Sequence, residues 1–70
     1  MSKTQSILAQ KIKSHRKAND MTQESLAKEA NIPYTTLTKI ESGVIRNPTI
    51  DTVMKIAEAL NTTLDELTKE

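Results

Sequence analysis

The 70-residue chain has no cysteine, tryptophan or phenylalanine, and only one tyrosine, one glycine and two prolines. Without cysteine, neither a disulfide nor a thiolate metal site can staple the fold. Without Phe and Trp, a core must be built from Ile, Leu, Val, Met and Ala, within a hydrophobic content of 36%. A single glycine and two prolines are too little turn chemistry for a chain of hairpins. No apolar run approaches the roughly 18 residues of a membrane span. The opening MSKTQS lacks the apolar stretch of a secretory leader. A chain this short makes one small domain, residues 1–70, and buries about 60% of its unfolded surface, so its stability is modest. The expectation is a soluble, cytoplasmic, all-helical domain with no cofactor and no metal.

What is present is an uneven distribution of charge. The formal net charge is +1, but residues 1–46 hold eight Lys/Arg against four Asp/Glu, a balance of +4. Residues 47–70 hold two against five, a balance of −3. Taken alone, the split is compatible with ordinary solvated helix faces. It is also what a phosphate-facing end and an acidic far end would give.

Apolar spacing and capping chemistry divide the chain into five helices. Leu8, Ile12 and His15 fall at i, i+4 and i+7 on a first helix over about 4–19. NDMTQE interrupts it, and Thr22 reads as the N-cap of a second helix, with Glu24 near its positive end. That helix carries Leu26, Ala27 and Ala30 inward and closes at Asn31, a residue that tolerates the left-handed conformation. Pro33 suits the start of a third helix ending at Gly43. Thr49 caps a fourth, expected to carry Ile50, Val53, Ile56, Ala57 and Leu60 inward. Thr63–Leu64–Asp65–Glu66 is a capping box that opens a short fifth.

The third segment, NIPYTTLTKIESG, has an unusual outer face. Ile32, Leu37 and Ile40 fall on one side, while the rest includes Tyr34, Thr35, Thr36, Thr38 and Lys39. Threonine is a poor helix former because its branched β-carbon restricts χ1, so padding alone does not explain it. Helices two and three are separated by about three residues, which forces a sharp bend and gives the helix-turn-helix plan. In that plan the second helix enters the DNA major groove, where hydroxyls meet base edges and a threonine methyl can touch a thymine methyl.

Over residues 8–67 the sequence resembles the phage repressor and Cro type of helix-turn-helix protein. The resemblance is carried by TQESLA (22–27), IESG (40–43), the following Pro48, and IAEAL with TLDEL (56–60 and 63–67). Asn31 stands where that family usually has Gly, and Pro33 where it commonly has Ser. The resemblance implies a five-helix, lambda-repressor-like domain that binds double-stranded DNA. It implies base contacts from Tyr34, Thr35, Thr38 and Lys39, and phosphate contacts from Thr22, Gln23, Ser42, Arg46 and Asn47. It pairs Arg16 with Glu41 as a structural ion pair, so that Glu41 is a scaffold acid rather than a repulsive one. Thr36 is divided between a structural role and the groove.

Val44 and Ile45 are apolar residues in a loop. Either they fold under the third helix as minor core, or, as the resemblance implies, they make with Leu64 and Leu67 of the fifth helix the seam of a homodimer formed on DNA. His15 has no nucleophile or partner at a useful spacing, so no enzymatic constellation is read. The expected function is a sequence-specific transcriptional regulator, a repressor acting on an inverted-repeat operator, of a phage-type, mobile-element or restriction–modification setting. No membrane and no small-molecule ligand are expected. The competing reading, from a different class, is a protein-interaction module such as an antitoxin or adaptor on the same fold.

Overall fold

The computed structural model describes residues 7–69. It has five helices: α1 (Ile7–Ala18), α2 (Gln23–Ala30), α3 (Tyr34–Ser42), α4 (Ile50–Ala59) and α5 (Leu64–Thr68). The expected start of the first helix near Thr4 lies outside the described residues.

Three helices begin on a threonine cap. Thr22, Thr49 and Thr63 accept from the backbone N–H of Ser25, Thr52 and Glu66, at 3.0, 3.2 and 3.1 Å. Each bond satisfies one N–H that the first helical turn would otherwise leave without a partner. Helix α3 differs. Pro33 occupies the N-cap with ψ 142° and supplies no side-chain bond. Its fixed φ of −63° presets the entry into the helix, and its carbonyl accepts from Thr36 and Leu37 N–H.

The helix ends explain how the chain manages with one glycine. Asp20, Asn31 and Asn61 adopt φ of 56°, 60° and 61°, the left-handed region. In each, the N–H of the following residue bonds back to the carbonyl five residues earlier: Met21 to Arg16, Ile32 to Ala27, and Thr62 to Ala57, at 2.9–3.0 Å. This is the Schellman closure, here made with Asp and Asn, which visit that region through short polar side chains. Met21 and Ile32 then pack against the core as the closure favours. Only α3 uses glycine, with Gly43 at φ 90°.

The core lies between the helices and consists of Ile12, Leu26, Ala27, Ala30, Leu37, Ile40, Val53, Ile56, Ala57, Leu60 and Leu67. Helix α2 packs on α4 and α3, while α1 packs on α3 and α5. Ala27, Ala30 and Ala57 are small residues of this core on α2 and α4, which pack on each other. Two expectations are corrected. Ile50, expected inward, is the first residue of α4 and 62% exposed; the inward stripe begins one turn later at Val53. Leu67, expected on a subunit seam, is 0% exposed. Helix α5 spends it on closing the monomer core against α1 and α4, so it is not available to a second chain.

Candidate nucleic-acid interface

Helix α3 separates its two faces cleanly. Leu37, Ile40 and Glu41 are buried, whereas Tyr34, Thr35, Lys39 and Ser42 are exposed and Thr36 and Thr38 half-buried. The three-residue link Asn31–Ile32–Pro33 turns the chain sharply, because Asn31 is left-handed and Ile32 is pinned to the core. The polar face of α3 is left open to solvent.

Glu41 is the one buried charged residue among those described, at 1% exposure. Arg16 Nε donates to its Oε2 at 2.8 Å and Arg16 Nη2 to its Oε1 at 3.1 Å. Gln23 Nε2 donates to the same Oε1 at 3.0 Å. Arg16 Nη1 donates to the Met21 carbonyl at 2.9 Å. One carboxylate therefore ties α3 to α1 and to the first residue of α2, and the guanidinium also holds the α1–α2 turn. Charge-assisted, two-point bonds of this kind fix geometry as well as energy. No buried side-chain N or O is left without a partner among the described residues.

The remaining expected site residues divide by what already engages them. Thr22 Oγ1 is committed to the α2 cap. Thr38 Oγ1 donates to the Thr35 carbonyl at 2.9 Å and Ser42 Oγ to the Lys39 carbonyl at 3.2 Å. Both hydroxyls turn their protons inward and present lone pairs outward. To donate to a phosphate, Ser42 has to release that bond. Lys39 and Arg46 have no ion-pair partner among the described residues. Arg46 and Asn47 are exposed in the loop between α3 and α4.

Of the expected seam, Val44 is 70% exposed, while Ile45 and Leu64 are partly buried against the core. The apolar exposure near this loop extends instead to Ile50 and Met54, one turn apart on α4.

Sequence reading missed two basic residues. Lys13 and Lys17 of α1 line a shallow hollow of about 270 Å³ together with Arg16, Gln23, Thr38, Glu41 and Ser42. They are i, i+4 on α1, a spacing visible in the sequence. That this face of α1 lies beside α3 is a matter of packing. Among the described residues, no cluster of three or more His, Cys, Asp or Glu is placed to hold a metal ion, and no helix is long and apolar enough to cross a membrane.

Comparison with known proteins agrees with this geometry. The helix-turn-helix family model HTH_3 matches residues 12–67. Control protein C.SmaI of Serratia marcescens is 36% identical over 61 residues, covering 87% of this chain and 71% of its own. An uncharacterised HTH-type transcriptional regulator of Rickettsia prowazekii is 49% identical over 47 residues, 63% of this chain and 51% of its own. The chain thus spans about half the length of that relative. The N-terminal DNA-binding domain of SinR from Bacillus subtilis superposes with a TM-score of 0.88 at 28% identity, covering 91% of this chain and 93% of that domain. The SinR protein/SinI protein complex gives 0.87, covering 90% of this chain and 61% of that one. The chain belongs to the HTH_3 family of helix-turn-helix proteins, the Cro/C1 type.

Proposed function

We propose that the chain is a sequence-specific DNA-binding transcriptional regulator, a repressor that occupies an inverted-repeat operator as a homodimer. The observation that carries this reading is the two-sided α3, buried through Leu37, Ile40 and Glu41 and anchored by Arg16 and Gln23. A helix held this rigidly, with an exposed face of Tyr34, Thr35 and Lys39, suits the major groove. The names of its relatives, transcriptional regulators and a DNA-binding domain, support the same reading.

In this reading Tyr34 and Thr35 enter deepest, because they begin α3, and Thr38 and Lys39 follow one turn along. Thr38, whose proton is turned to the Thr35 carbonyl, offers an acceptor to a base amino group. Helix starts leave N–H groups open to phosphate. That favours a backbone contact at Gln23, whose side chain braces Glu41 at the same time. Arg46 and Asn47 grip the backbone beyond α3. Dimerisation uses Val44 with the flanking exposed apolar residues, Ile45 and Leu64 lending their uncovered edges.

Selection of bound sequences from a pool of random duplexes tests the reading. The expected product is an inverted repeat with half-sites about one helical turn apart. A pool that stays random after repeated rounds would overturn sequence-specific recognition. A selected single half-site with no two-protein complex would overturn the dimer.

A further inference from the structure

We infer that the hollow between α1 and α3 receives a DNA backbone phosphate, held by Lys13 and Lys17. This rests on the reading of the chain as DNA-binding and adds a second grip on the duplex, from α1. The floor of the hollow is Arg16 and Glu41, whose charges cancel. The guanidinium charge is paired with the carboxylate, one of its other N–H groups is held by the Met21 carbonyl, and Glu41 also accepts from Gln23. Glu41 is the one acid among the lining residues, and with three donors on it, it has little left for a lysine. Lys13 and Lys17 line the same hollow, and neither has an ion-pair partner among the described residues. Like charges four residues apart on a helix repel, so the pair is relieved by an anion placed between them.

The opposite wall selects what kind of anion. Thr38 and Ser42 belong to α3, so whatever fills the hollow lies beside the helix that faces the bases. Their hydroxyl protons are turned into the helix, and Arg16 and Gln23 are already held by Glu41, which leaves the two ammonium groups as the lining cations without an internal partner among the described residues. A duplex lying against α3 carries a row of phosphates along the groove edge, and such contacts set register on the duplex rather than sequence preference.

The test is a salt series of binding to a random-sequence duplex pool by the full chain and by its Lys13→Gln/Lys17→Gln double variant. Glutamine keeps helix propensity close to that of lysine. Lys55→Gln is the control, because Lys55 already sits 3.4 Å from Asp51 on α4. The double variant is expected to bind more weakly and to lose about 0.9 from the log–log salt slope, the contribution of one phosphate; the control keeps its slope. Helical circular dichroism checks the fold, and if the double variant unfolds, each single variant carries the same test. A salt-dependent wild type with an unchanged slope in the variants would overturn the proposal and spare the DNA-binding reading. A wild type without affinity for any duplex would overturn both. A melting temperature raised by inorganic phosphate at constant ionic strength, lost in the variants while their duplex slope stays unchanged, would assign the hollow to a free anion instead.

Discussion

Arg16 and Glu41 are 25 residues apart and meet through two hydrogen bonds, Nε to Oε2 and Nη2 to Oε1, across the α1–α3 contact. The arginine is nearly buried and the glutamate fully so. Desolvation offsets much of the attraction in such a pair, so its net effect on stability is small. Losing one partner is a different matter, because the other is then a buried charge without its counterion.

Arg16→Met is therefore expected to cost toward the lower end of the roughly 3–5 kcal/mol typical of a broken buried pair, since Gln23 still donates to Glu41. The Arg16→Met/Glu41→Leu double variant should be more stable than Arg16→Met alone. Thermal unfolding of the wild type, both single variants and the double variant gives the coupling. Additive losses would mean that the two side chains act independently.

The left-handed turn at Asn31 sets the angle between α2 and α3. Asn31→Ala should destabilise the domain by about 1 kcal/mol, because it keeps the β-carbon at positive φ and loses the short polar side chain that eases that conformation. Asn31→Gly removes the β-carbon and its strain but frees the unfolded chain, so it should be close to neutral. Urea titration of the three proteins checks the order. An alanine variant as stable as the glycine variant would show that the turn relaxes to another conformation.

Lys39 has no internal partner and lies on the exposed face of α3. If it reads a base, Lys39→Ala should flatten the preference at one or two half-site positions by about 1–3 kcal/mol. Arg46→Ala should instead weaken all sequences alike and reduce the salt slope by about one. Affinities for single-base variants of a selected half-site, at two salt concentrations, separate the roles. Uniform weakening by Lys39→Ala would move it to the backbone.

Met54 and Leu67 give opposed outcomes. Met54 is 49% exposed on α4, and Leu67 is enclosed in the core. Met54→Glu should leave the melting temperature nearly unchanged and abolish cooperative occupancy of a two-half-site duplex. Leu67→Ala should cost about 2–5 kcal/mol, as large-to-small core changes do, and unfold a substantial fraction of a domain this small. Circular dichroism with gel-shift titration tests both. Undiminished cooperativity in Met54→Glu would remove that face of α4 from the subunit contact.

The sequence alone determined where the helices lie. Thr22, Thr49 and Thr63 mark starts and Asn31 and Gly43 mark ends, because capping is a bond between near neighbours and a left-handed closure depends on one residue's own sterics. Periodicity also placed Leu26, Leu37, Ile40 and Ile56 inward, since a helix repeats its face every 3.6 residues whatever it packs against. Tertiary structure decided the rest. Ile50 and Leu67 are both apolar at helical spacing, yet one is exposed and the other enclosed, because burial depends on which neighbour covers a face. Gln23 found its partner 18 residues away, on Glu41. Nothing local in the sequence sets Lys13 and Lys17 apart from other surface lysines; the packing of α3 beside them does. Contacts of this range are fixed by the angles between helices, and those angles are set jointly by every side chain in the core rather than by any local stretch of sequence.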